Sequence, residues 1–271
     1  MIEVDWARLT APEIRALTAR GAALAVLPVG ALEQHGPHLP VGTDSRIAWE
    51  LSIRAARLAA PDVPVLVLPA IWTGLSEHHL PFGGTISLDY AGLAGVLRGV
   101  VRSLRAIGFS RLLVVNGHGG NDEALNVACR ELALEFELPM VAARPWSLIS
   151  EVMPRVLDRQ TGVHHGCEAE TSVMLALAPE LVRVDLLEAA AHQEPGAVAN
   201  RPALSRFWSF AERAPGSGVR GDPRAATAAK GETLLAAMAE ALAAAMRDPT
   251  LWRTPDPVWS PGRGLGATGP G

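Results

Sequence analysis

Between Glu33 and Asp44 the chain places two carboxylates and two imidazoles, in the run Gly30-Ala-Leu-Glu33-Gln34-His35-Gly36-Pro37-His38-Leu-Pro-Val-Gly-Thr-Asp44. Glu, His and Asp are the side chains that bind divalent ions of the zinc, manganese or iron type. A His-Gly-Pro-His segment by itself is often just a polar surface loop, so the other histidines decide. Seven of the eight fall into four short clusters: His35 and His38, His78 and His79, His118, then His164 and His165. Each cluster sits beside Gly, Pro, Asn, Glu or Asp. Core histidines have no reason to gather in this way, and the pattern predicts a metal centre.

A second cluster, Val114-Val115-Asn116-Gly-His118-Gly-Gly-Asn121, again leaves an apolar run and opens a helix. A Gly-rich turn before a helix can bind phosphate through backbone N–H groups. No Walker lysine follows, however, and G-x-G-x-x-G is absent here. A metal reading is favoured, because ligands in open α/β sheets gather at the carboxyl ends of strands, where His118 can meet Glu33 and His35. The third cluster is His164-His165-Gly-Cys167-Glu168-Ala-Glu170-Thr-Ser172, at a helix start. Glu168 and Glu170 are two residues apart and point to different helix faces, so only one readily faces a pocket. His165 is a candidate proton carrier, since its unperturbed pKa lies near neutrality. A Cys167 nucleophile paired with His165 is the weaker alternative, because closeness in sequence is not triad geometry. The stretch Trp72–Thr85 is rich in polar and turn residues and suits a substrate-facing loop. Its Ser76, Glu77 and His78, together with Trp146, are the expected substrate contacts.

These residues need a scaffold. The sequence predicts strands over Ala23–Val29, Val63–Leu68, Arg111–Val115 and Pro139–Ala143, all rich in Val, Leu and Ala. Helices are predicted over Ser45–Ala59, Tyr90–Ile107, Glu123–Glu135, Glu168–Leu177 and Arg224–Met246. This alternation predicts an α/β protein with a mostly parallel sheet flanked by helices on both faces. The content of 49% hydrophobic and 19% charged residues supports a large core and excludes disorder. Only 5% of residues are aromatic, which favours helices on a buried sheet over a β-sandwich. Residues 1–250 are expected as one domain. The Ala191–Arg220 segment is irregular and expected to be functional or an oligomer contact. The Pro- and Gly-rich residues 251–271 are expected as a disordered tail.

A net charge of −4 and no basic run exclude a phosphate-backbone track, so nucleic acid is not an expected partner. Two cysteines cannot form a disulfide framework. Neither a secretory leader nor an apolar run of membrane length is visible, and a cytoplasmic protein is expected.

Taken in order, these motifs resemble the creatininase family of metal-dependent amidohydrolases. The likeness rests on Glu33-Gln34-His35-Gly36-Pro37-His38 with Asp44, on Asn116-Gly-His118-Gly-Gly-Asn121, and on His165-Gly-Cys167-Glu168-Ala-Glu170-Thr-Ser172. Gly221-Asp222-Pro223 and Ala226-Thr227-Ala-Ala-Lys230-Gly231 add to it, so the resemblance spans roughly Ala23 to Leu242. It implies a three-layer sandwich, usually assembled as a hexamer. It also implies metal ligation by Glu33, His35, Asp44 and His118, with Asp44 bridging two ions. Creatininase itself uses a Glu two residues after the His of Asn-Gly-His, where this chain has Gly120. Family members with Gly there use the Glu of Glu-Thr-Ser, which makes Glu170 the fifth ligand. Gly119 likewise replaces an aromatic of creatininase, which argues against creatinine as substrate.

The resemblance thus implies one or two zinc, manganese or iron ions per chain. It further implies hydrolysis of a C–N bond in a small amide by metal-activated water, with His165 carrying the proton. Cyclic amides, formamides and peptides trimmed during redox-cofactor maturation are the substrate classes of the family. A non-hydrolytic binding protein on the same fold is the alternative of a different class.

Overall fold

The computed structural model describes residues 2–191, 206–254 and 258. Four strands, β1 (Leu24–Val29), β2 (Val65–Val67), β3 (Arg111–Asn116) and β4 (Met140–Ala143), pair in the order β2-β1-β3-β4. Every pairing is parallel, with Leu24 opposite both Val65 and Arg111, and Leu112 opposite Met140. Parallel strands need crossover helices, which cover both faces and explain why β1 is buried along its whole length.

The two faces divide by strand alternation. Leu24, Val26, Leu113 and Val115 face one core, shared with α2 (Thr43–Ala59), α5 (Glu168–Leu177) and α7 (Ala228–Arg247). Ala25, Leu27, Leu112 and Val114 face the other, shared with α3 (Tyr90–Ala106) and α4 (Asp122–Glu135). The predicted three layers are therefore present.

One helix is additional to the sequence reading, and two helix starts differ from it by two residues or more. An additional helix, α1 (Ala11–Thr18), opens the chain, and its signal is the capping box of Thr10 with Glu13. Helix α2 starts at Thr43, because the Thr43 hydroxyl and amide both donate to the Pro40 carbonyl and close the turn early. Asp44 thus lies inside the first helical turn. Helix α7 starts at Ala228 and not at Arg224. Asp222 caps a separate 3-10 turn, Pro223–Ala225, and the Thr227 hydroxyl accepts from the Lys230 amide to begin the long helix. In the segment expected to be irregular, the helical turn α6 (Phe210–Arg213) is capped by Ser209 and Glu212. Residues 192–205 and most of the expected tail, 255–257 and 259–271, lie outside the described residues. No helix among the described residues is long and apolar enough to cross a membrane.

Candidate metal centre

The carboxyl ends of the strands carry the chemistry. β1 runs out into Glu33 and His35, β3 into His118, and the segment after β2 into Ser76–His79. The first turn of α2 supplies Asp44, while α5 and the loop before it supply Glu170 and His165. The exit of β3 is stitched by its own asparagines. Asn116 donates to the His118 carbonyl and to Asp122, and Asn121 donates to the Gly30 carbonyl while accepting from the Leu75 amide. Those polar groups hold the turn itself, which accounts for the Asn-Gly-His-Gly-Gly-Asn pattern without phosphate. A Cβ at Gly117 would lie 2.6 Å from the Asp44 carbonyl oxygen, so only glycine lets α2 approach β3 and bring Asp44 to His118.

Three carboxylates and several imidazoles converge in a buried cradle. Glu33 is fully buried, and its Oε1 lies 3.1 Å from His118 Nδ1, 3.4 Å from His79 Nε2 and 3.6 Å from His165 Nδ1. Asp44 lies 3.1 Å from His35 Nε2 and 3.3 Å from His118 Nδ1. Ligand atoms of Glu33, His35 and Asp44 lie within 4.8 Å of one another, as do those of His35, His165 and Glu170. One oxygen of Glu170 accepts the Gly166 amide at 2.6 Å.

The hydrogen bonds on the outer side of the rings fix what faces inward. A backbone carbonyl can only accept, so the ring nitrogen against it carries the proton. His35 Nδ1 donates to the Glu33 carbonyl at 3.1 Å, and His118 Nε2 to the Leu75 carbonyl at 3.0 Å. His165 Nε2 donates to the Gln34 carbonyl at 2.7 Å. Were all three rings neutral, their inward nitrogens would present lone pairs to the carboxylates, an arrangement that repels itself until positive charge enters, as a proton or as a metal ion. Consistent with this, both oxygens of Glu33 and Oδ2 of Asp44 are buried with no hydrogen-bond partner. A set of imidazole nitrogens and carboxylate oxygens, outer N–H groups tied to carbonyls, fits a divalent ion of the zinc or manganese type.

The electrostatics agree. Burial works against a charged His35, but the Asp44 carboxylate overrides it and raises the ring to about 10. Burial likewise opposes charge on His118, and the Glu33 carboxylate lifts it well above the ordinary value. Asp44 is held below the usual carboxylate range despite burial, through the charge of His35. Burial pushes Glu170 up to about 7, against the pull of His35. Burial and the neighbouring His35 and His79 push His165 well below its ordinary value.

Of the residues singled out in the sequence, Glu33, His35, Asp44, His118, Glu170 and His165 come together. Glu168 turns away and is bound by Lys230 Nζ at 2.5 Å, which separates the two acids that sequence left open. Ser76 is buried, with its hydroxyl 3.4 Å from His118 Nε2. His78 lies nearly parallel to His118, ring centroids 5.6 Å apart. Glu77 is exposed and meets the Ser87 hydroxyl, while Trp146 packs half-buried against the α7 core. Three further residues enter the site. His79 faces Glu33, Gln34 bridges His79 to the Gly218 carbonyl, and Phe210 of α6 stacks on His79 at 4.2 Å and meets His165 edge-on. The doubled His78-His79 was a signal for the first. Phe210 had none in sequence.

Comparison with known proteins bears on the same residues. The family model described as creatininase, creatinine amidohydrolase, matches residues 7–246. A mycofactocin precursor peptide peptidase of Mycobacterium ulcerans (strain Agy99) is 38% identical over 220 residues, covering 79% of this chain and 81% of that protein. A creatinine amidohydrolase of Pseudomonas putida is 31% identical over 260 residues, covering 89% of this chain and 95% of that one. A solved structure described as creatininase Mn superposes with a TM-score of 0.76 at 29% identity, over 91% of this chain and 98% of that chain. With matches of this extent meeting on a cradle built for a divalent ion, the chain belongs to the creatininase family of metal-dependent amidohydrolases.

Proposed function

We propose that this protein hydrolyses an amide bond in a short peptide or peptide-like substrate, with Glu33, His35, Asp44, His118 and Glu170 holding one or two divalent ions, zinc or manganese first. The observation that carries the reading is the buried cradle whose carboxylate oxygens have no hydrogen-bond partner. Bound there, such ions would supply Lewis acidity, polarising the amide carbonyl and lowering the pKa of water from about 15.7 toward about 7.

The chain supplies the remainder. His165 has its Nε2 proton tied to the Gln34 carbonyl, so its Nδ1 lone pair is free to take a proton and return it to the leaving nitrogen. Phe210 lies over His79 and His165 and excludes bulk water. Two observations favour a peptide over creatinine. The relatives named mycofactocin precursor peptide peptidases are 38% identical, against 31% for the creatinine amidohydrolase. Moreover, a Cβ at Gly120 would collide with His118, the Leu75 carbonyl and His78, so no carboxylate side chain fits there, and Glu170 takes that part. By family likeness the protein works in the cytoplasm as a homo-oligomer, a hexamer, and a 28.6 kDa species in sedimentation would overturn that assembly.

The test compares two variants by metal content and by turnover of short peptides, formamides and creatinine. His165→Ala should keep its metal and lose roughly 10²–10⁴-fold in kcat. Glu170→Gln should lose metal. The opposite pattern exchanges their roles. A fully metallated wild type that turns over no amide would favour a binding protein instead.

A further inference from the structure

His79 differs from the other histidines of the cradle in what lies behind it. Its outer nitrogen, Nδ1, faces the side-chain amide of Gln34 at 2.9 Å and no backbone carbonyl. The orientation of that amide is fixed independently. Its oxygen accepts the Gly36 amide at 2.8 Å, and its nitrogen donates to the Gly218 carbonyl at 2.9 Å. A flipped amide would set two donors and two acceptors against each other at once. The Gln34 nitrogen also lies 3.1 Å from His165 Nε2, but that nitrogen carries its own proton toward the Gln34 carbonyl and cannot accept. The remaining N–H of Gln34 therefore goes to His79 Nδ1, and the proton of a neutral His79 ring sits on Nε2. That Nε2 points inward, 3.4 Å from Glu33 Oε1. His165, whose ring centroid is 4.4 Å away, presents the reverse, an inward lone pair beside the same oxygen.

A ring with its inward nitrogen protonated is a poor ligand for a cation and a good donor to an oxygen. From this opposition the geometry points to His79 as a further catalytic residue, a neutral N–H donor that Gln34 holds in one tautomer and that binds the carbonyl oxygen of the substrate amide. The assignment rests on the amide-hydrolysis reading above. A donor that needs no reorientation during reaction stabilises the charge developing on that oxygen. Gln34 is then a positioning residue. Its contact to Gly218 ties the donor to the loop that follows α6, and Phe210 on that side stacks on the ring face, 28° from parallel, to hold its plane.

The experiment uses the zinc-loaded protein with 15N-labelled histidine. His79→Phe keeps a flat ring without the donor and should retain its zinc while kcat falls roughly 10²–10³-fold with KM little changed. Its missing signals assign His79 in the wild-type spectrum, which should show the Nε2–H form. Gln34→Glu, an isostere that accepts where Gln34 donates, should convert His79 to the Nδ1–H form and lower kcat comparably. His79→Gln, which offers an amide N–H, should recover part of the loss and covers the case in which His79→Phe does not fold. An Nδ1–H wild-type ring, or loss of zinc from the folded His79 variants, overturns the proposal, the latter by making His79 a ligand. Unchanged kcat in His79→Phe overturns it too. A wild type inactive on every amide removes the reaction reading and the catalytic role with it, while the spectrum still decides the donor.

Discussion

Two sets of buried carboxylates, Glu168 at the start of α5 and Glu33 with Asp44 beyond β1, are treated in opposite ways. Glu168 is fully buried and fully satisfied. The amides of Asp158 and Arg159 donate to it at 3.0 and 2.7 Å, and Lys230 closes the set at 2.5 Å. Glu33 is equally buried, yet neither oxygen has a hydrogen-bond partner, and Asp44 leaves one oxygen in the same state. Burying a charge without compensation costs several kcal/mol in real proteins. A fold that can satisfy Glu168 so fully has left Glu33 and Asp44 open for a cation. Satisfaction, and not burial or residue type, separates the acid that holds the structure from the acid that does the chemistry.

The contrast can be broken most strongly at Glu33. Glu33→Gln removes one charge from the cradle, and metal affinity should fall by more than the roughly 10–100-fold typical of losing an outer hydrogen-bond partner of a ligand. Activity should fall with it. The chelated variant should nonetheless unfold in urea within about 1 kcal/mol of the chelated wild type, since losing the counter-charge of His118 is offset by removing a buried carboxylate. A large loss of stability there would mean that Glu33 is structural. Lys230→Met tests the other side, and should destabilise by about 1–3 kcal/mol by stranding a buried acceptor. Zinc bound per folded chain should stay the same, read by metal analysis beside the denaturation curve.

The finest distinction is protonic. With carboxylates as their counter-charge, His35 titrates near 10 and His118 well above its ordinary value, so both are protonated at pH 7. A cation must displace those protons, and zinc binding to chelated protein should release at least about one proton per ion and tighten as pH rises toward 10. Calorimetry in two buffers of different ionisation enthalpy counts them. No release would exclude these rings as ligands.

The sheet and the residues that meet in the cradle were legible because their signals are local. A buried parallel strand is a run of Val, Leu and Ala, and the groups it delivers follow it directly, as Glu33 and His35 follow β1. What the sequence left open depends on distant pairings. Glu168 and Glu170 are distinguished by Lys230, 62 residues onward, and His79 owes its role to Gln34, 45 residues before it. Phe210 reaches the site from a helical turn whose four residues carry no periodicity to read. The early start of α2 was missed for a local reason, since Gly42 and Thr43 do not resemble a strong N-cap until the Pro40 carbonyl is seen to receive both donors.

The division between the cradle and what lies above it also has an evolutionary meaning. The cradle hangs on α2 packed so closely against the end of β3 that Gly117 admits no side chain, and a substitution there would displace Asp44 and the cradle with it. Phe210, by contrast, meets the histidines only through ring faces and edges, from a turn outside the sheet. Mutations in that turn can reshape which molecules are admitted while the ion-binding groups keep their places. A lineage built this way can change its substrate without passing through an intermediate that has lost its metal.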